Sequence, residues 1–158
     1  REEYLEMVTK KTGVLYGAAA AIGSLLAGGT EAQTEALYRY GCNIGAAFQI
    51  QDDLIDLLMP AEKSGKDQAS DIREGKQTLI AITAREQGID LRPWQRALSH
   101  DEVSALIEML TGAGVLASVQ QNGESMIESA VTGLSVLPDS DEKGLLSALA
   151  WYFIRRDY

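Results

Sequence analysis

The sequence predicts an all-α protein, a helical bundle, and three observations carry that expectation. Apolar residues recur at helical spacing, as in Val103, Leu106, Ile107 and Leu110, which share one face of a 3.6-residue helix. No stretch alternates apolar and polar residues as a half-buried strand does. Stop and start signals fall between long periodic runs, at Gly28-Gly29, Pro60, Gly88 and Pro138-Asp139. Glycine is a common helix stop and proline cannot continue a helix.

The elements follow in order. A first helix is expected over about 2–27, bent near Thr12-Gly13. Thr12 to Thr30 is uncharged for 19 residues, close to the roughly 20 that a membrane-spanning helix needs. It holds five glycines and polar Thr12, Tyr16 and Ser24, so it reads as a buried helix packed closely against neighbours and not as a transmembrane segment. Gly28-Gly29 stops it. Thr30-Glu31-Ala32-Gln33 then has the form of a capping box, opening a second helix over about 31–59 that Pro60 ends. A polar loop follows to about 76. Further helices are expected over 77–87, as a short piece from Leu91 to Trp94, and over 101–111, 113–135 and 140–156. Ser99-His100-Asp101-Glu102 is a second capping box, which makes His100 a surface residue at a helix start. Leu145, Leu146, Leu149, Trp151 and Phe153 are expected in the core.

Composition sets bounds. A chain of 158 residues is the size of one domain, and residues 1–158 are expected to form one all-α unit. Such a chain buries about 68–70% of its unfolded surface. The net charge of −9 argues against nucleic acid and anionic membrane surfaces as partners. The single cysteine, Cys42, lies in an apolar run and reads as an inert buried thiol in a reducing compartment. No signal-peptide pattern is evident, and a cytoplasmic location is expected.

Chemistry concentrates in Phe48-Gln49-Ile50-Gln51-Asp52-Asp53-Leu54-Ile55-Asp56. From Gly41 to Met59 the three aspartates are the sole charged residues. Gln49, Asp52, Asp53 and Asp56 stand at i, i+3, i+4 and i+7, one stripe of a helix. Carboxylates on a buried helix need a cationic partner. A hard divalent ion fits, because Mg²⁺ takes one or two carboxylates, waters and a substrate phosphate. A solvated acidic face would carry lysine, arginine and glutamate along its length, and this run has none. The loop after Pro60 carries Lys63, Lys66, Arg73 and Lys76 beside four acids. Lys66 and Lys76 can hold a phosphate as point charges, and Asp71 can add an oxygen near a metal. Without a phosphate the loop over 60–76 is expected to be mobile, since its apolar anchors are Ala61, Ala69 and Ile72 alone.

These residues resemble the trans-isoprenyl diphosphate synthases, the farnesyl and geranylgeranyl diphosphate synthase family. Asp52-Asp53-Leu54-Ile55-Asp56 looks like that family's second aspartate-rich motif. Gly65-Lys66 and Ser70-Asp71-Ile72-Arg73-Glu74-Gly75-Lys76 look like its following lysine and aspartate motifs. Lys11-Thr12-Gly13 looks like its lysine–threonine motif. The order and spacing of the motifs make the resemblance specific over the first half of the chain.

The resemblance implies a partial isoprenoid-synthase fold and a Mg²⁺-dependent prenyltransferase condensing isopentenyl diphosphate with an allylic diphosphate. Asp52, Asp53, Asp56 and Asp71 would serve the metal. Lys66 and Lys76 would bind the allylic diphosphate. Lys11, Thr12 and Gln49 would sit where the allylic cation forms. Magnesium and lysine would neutralise the leaving diphosphate. The family's first aspartate-rich motif and its isopentenyl diphosphate site have no counterpart in these residues. The chain is therefore expected to be the C-terminal half of a synthase, inactive by itself, and a homodimer or a partner of an N-terminal half. The alternative is a non-catalytic diphosphate-binding or regulatory subunit.

Overall fold

The computed structural model describes residues 1–60 and 67–155. The described residues are helical and contain no strand. Helix α1 (Glu2–Val8) passes through a π-helical turn (Thr9–Gly13) into α2 (Val14–Leu26), and α3 (Glu31–Leu58) follows. A short α4 (Ser70–Arg73), α5 (Leu79–Glu86), a 3-10 turn (Arg92–Trp94), α6 (His100–Gly112), α7 (Val115–Gly133), a second 3-10 turn (Leu134–Val136) and α8 (Asp141–Ile154) complete the order.

Both capping boxes form. Thr30 N–H donates to Gln33 Oε1 at 2.9 Å and Gln33 N–H to Thr30 Oγ1 at 3.3 Å. Ser99 and Glu102 make the same reciprocal pair at 2.8 and 3.3 Å. The Arg96 guanidinium beside Glu102 holds that carboxyl down at about 2. The helix expected from Gln77 begins at Leu79, because the Thr78 hydroxyl caps it by accepting from Ala81 N–H. The loop expected to run unbroken to 76 contains α4.

The chain divides into two compact units, one of residues 50–121 with Arg1 and the other of 2–49 with 122–155. Helices α3 and α7 run through both. In the first, Ile50, Leu54 and Leu57 form a buried stripe at i, i+4 and i+7 on α3, and α5 buries Leu79, Ile80 and Ile82. In the second, Tyr40, Ile44 and Ala47 of α3 cluster with Ile127, Ala130, Leu134 and Ala150. Tyr16, Phe48 and Phe153 stack beside them with ring centroids 5.5–6.2 Å apart. Tyr40 Oη donates to the Leu146 carbonyl at 2.8 Å, and burial pushes its phenol up to about 12.

Helices α2 and α3 of this second unit approach at backbone distance. A Cβ on Gly41 would lie 2.6 Å from Gly17 Cα and closer still to the Tyr16 carbonyl. Neither is a side chain that can swing away. Alanine gains roughly 0.5–1 kcal/mol over glycine in a helix interior. Overpacking a tight interface costs about 1–3 kcal/mol, occasionally more. Gly41→Ala is therefore expected to lower stability on balance, read as a lower urea midpoint. An unchanged or higher midpoint would contradict the close crossing.

Three expectations are corrected here. The run Thr12–Thr30 is not buried all round: Gly13, Gly17 and Ser24 face inward, whereas Leu15, Ile22, Leu25 and Leu26 are exposed, Leu26 to 85%. In α8, Leu146, Trp151 and Phe153 pack against the cluster, but Leu145 and Leu149 are exposed. Spacing identifies an apolar side chain, not what covers it. Cys42 is half-buried rather than fully so, and burial pushes its thiol up. No single helix among the described residues is long and apolar enough to cross a membrane.

Candidate functional site

Candidate residues occur in each unit. In the unit of 2–49 with 122–155, the π-turn carries Lys11 and Thr12. Val14 N–H reaches back to the Thr9 carbonyl, five residues earlier, and single π-turns of this kind are frequent at functional sites. Thr12 Oγ1 donates to Gln49 Oε1 on α3 at 3.4 Å, so two of the three residues expected near the allylic group are brought together. Lys10 pairs with Glu6 one turn back. Lys11 is exposed.

In the unit of 50–121, the last turns of α3 carry the aspartates. Asp53 is buried at 6% exposure, as is Gln51 at 5%, and Asp52 and Asp56 are half-buried. The chain returning from Pro60 is tied to this helix end. Gln68 Nε2 donates to the Leu57 carbonyl at 2.9 Å and Ala69 N–H to the Asp56 carbonyl at 2.8 Å. Ser70 Oγ donates to Asp56 Oδ1 at 2.5 Å and Asp71 N–H to Asp56 Oδ2 at 3.0 Å. Ala69 is fully buried and sits at φ 58°, the left-handed region that costs a non-glycine residue about 1 kcal/mol or more. The surrounding bonds hold it there.

From α4 the chain turns back through Gly75 at φ 71°. Gly75 N–H donates to the Ile72 carbonyl at 3.0 Å and Lys76 N–H to the Asp71 carbonyl at 2.9 Å, the bond pair of a Schellman motif, which favours glycine. The motif lays Lys76 over Asp71. Lys76 Nζ is 2.7 Å from Asp71 Oδ1 and 3.0 Å from Glu74 Oε2. Asp71 first, and then Glu74, hold the Lys76 ammonium well above the usual lysine range.

The structure therefore joins Asp56, Asp71 and Lys76 in one network. Lys66 lies outside the described residues. Sequence reasoning missed Ser70, Ala69 and Glu74 as parts of this arrangement. Ser70 stands in the quoted motif and its hydroxyl was the available signal, whereas nothing about an alanine marks a left-handed backbone. Asp52, Asp53, Asp56 and Asp71 form an oxygen-only donor set, the chemistry of a hard divalent cation. Among the described residues no three acid, histidine or cysteine side chains converge on one point. Mg²⁺ is commonly held by one or two carboxylates with waters and substrate phosphate, so the residues present fit it.

The polyprenyl synthetase family model matches residues 1–110. A geranylgeranyl diphosphate synthase of Methanosarcina mazei is 46% identical over 157 residues, covering 99% of this chain and 48% of that protein. The solved geranylgeranyl pyrophosphate synthetase of Geoglobus acetivorans superposes with a TM-score of 0.87 at 39% identity, over 99% of this chain and 48% of that one. A polyprenyl synthase from Caulobacter crescentus, solved with calcium and isoprenyl diphosphate, gives a TM-score of 0.83 at 31% identity, over 97% and 49%. The fold is that of the all-α isoprenyl synthases. The chain belongs to the polyprenyl synthetase family and spans about half the length of the relatives it matches.

Proposed function

We propose that this chain is the diphosphate- and metal-binding part of a prenyltransferase that condenses isopentenyl diphosphate with an allylic diphosphate, in the cytoplasm. The observation that carries the reading is the joining of Asp56, Asp71 and Lys76 at the end of the helix that carries Asp52 and Asp53. The Caulobacter relative, solved with calcium and isoprenyl diphosphate, supports it. Mg²⁺, when bound through Asp52, Asp53, Asp56 and Asp71, would neutralise charge on the departing diphosphate. Lys76 would donate to the diphosphate oxygens, and the resemblance assigns the same role to Lys66. Lys11, in the motif that resembles the family's lysine–threonine motif, would serve the same anion. Thr12 and Gln49 present oxygen to the positive charge left on the allylic carbon. A regulatory subunit would have no need of this whole set.

The outward-facing apolar side chains of α2 and α8 support association, with a second copy or with the remaining half of a synthase. A radiolabelled prenyl-transfer assay tests the function. The 158-residue chain alone is expected to show no turnover. The chain joined to the part of the Geoglobus enzyme that it does not match is expected to transfer prenyl groups. Turnover by the chain alone would overturn the incompleteness, and none by the joined protein would overturn the catalytic reading.

A further inference from the structure

We infer that Ser70 is a positioning residue for diphosphate binding: it fixes Asp56 against the start of α4, and that contact sets Asp71 and, through Asp71, Lys76. The inference rests on the diphosphate-binding reading above. Each link is a hydrogen bond of 3.0 Å or less. Ser70 Oγ and Asp71 N–H occupy the two oxygens of the Asp56 carboxylate at 2.5 and 3.0 Å. Asp71 is held from its other side by Lys76, backbone to backbone at 2.9 Å and side chain to side chain at 2.7 Å. Asp71 is thus the joint between α3 and the lysine.

The contacts are local, and Ala69, next to Ser70, sits in the left-handed region. Ala69 stays in its left-handed conformation because its own N–H is bonded to the Asp56 carbonyl at 2.8 Å. Removing the Ser70 hydroxyl leaves one oxygen of Asp56 without this donor. The Asp56 carboxylate then keeps the Asp71 amide as its one remaining donor from α4, and the placement of Asp71 and Lys76 loosens. The Ser70 side chain is half-buried at a helix start, so its loss opens no core cavity. A threonine supplies the same hydroxyl.

Two measurements on the 158-residue chain test this. The first uses hydrogen exchange without metal or diphosphate. Ser70→Ala is expected to speed exchange at the Ala69 and Asp71 amides about tenfold, the worth of one hydrogen bond to a charged group. Ser70→Thr should restore the native rates. The second is calorimetry with Mg²⁺ and inorganic pyrophosphate. Ser70→Ala should weaken binding by a similar factor and Ser70→Thr should recover it. In a Lys76→Ala background, Ser70→Ala should add little further loss, since its effect passes through that lysine. Native exchange rates in Ser70→Ala, or full additivity with Lys76→Ala, would overturn the inference. Absence of pyrophosphate binding by the unaltered chain would overturn the diphosphate reading on which it rests, while the exchange data still judge the Asp56 contact. Circular dichroism of each variant identifies a folding failure, in which case Ser70→Cys replaces Ser70→Ala.

Discussion

Asp52→Ala is expected to lower prenyl transfer by the joined synthase about 10²–10³-fold, the cost of losing one preorganised group that stabilises transition-state charge. Asp52 is half-buried on α3 beside buried Asp53 and one turn before Asp56. Like charges at i and i+4 on a helix, as at Asp52 and Asp56, destabilise it slightly. The same substitution is therefore expected to leave thermal stability unchanged or to raise it. This opposition separates a functional loss from an unfolded variant. Activity within tenfold of the unaltered protein would remove Asp52 from the site. A large fall in the thermal midpoint would make it a structural residue instead.

Leu54→Ala is expected to have the largest effect on stability. Leu54 is 2% exposed and lies between Ile50 and Leu57 on the buried stripe of α3. Truncating a buried leucine to alanine costs about 2–5 kcal/mol, the spread reflecting how far the cavity collapses. For a chain of this size each kcal/mol moves the thermal midpoint about 2–4 °C, so a fall of about 4–20 °C follows. Leu26→Ala is the control: its side chain is 85% exposed, and surface changes usually stay within about ±0.5 kcal/mol. Equal midpoints for the two variants would mean that the buried stripe of α3 does not anchor its unit.

Much of the fold is legible in the sequence because its signals are local. Thr30 with Gln33, and Ser99 with Glu102, mark helix starts through bonds between residues three apart. The carboxylate stripe is legible because helical spacing alone puts Gln49, Asp52, Asp53 and Asp56 on one side. What stays hidden depends on partners distant in sequence or on elements too short to show a period. Helix α4 has four residues, about one turn, and periodicity cannot reveal it. Its placement comes from Asp56, fourteen residues upstream of Ser70. The π-turn is hidden for a related reason: a bend near Thr12 is readable, but the shift to i→i+5 bonding is set against α3, where Gln49 meets Thr12. Leu15, Leu26 and Leu145 carry the same apolar signal as Leu54, and burial depends on what stands opposite.

The central claim is that this chain binds a diphosphate together with a divalent metal through the aspartates of α3 and the lysine held by Asp71. Titration calorimetry of inorganic pyrophosphate, with Mg²⁺ and with a chelator, tests it most directly. The account predicts that Mg²⁺ tightens pyrophosphate binding by about 5–150-fold, the usual range for coupled ligands, and that pyrophosphate tightens Mg²⁺ binding by the same factor. Asp52→Asn should abolish that enhancement. Equal pyrophosphate affinity in Mg²⁺ and in chelator, or an enhancement that survives Asp52→Asn, would contradict it.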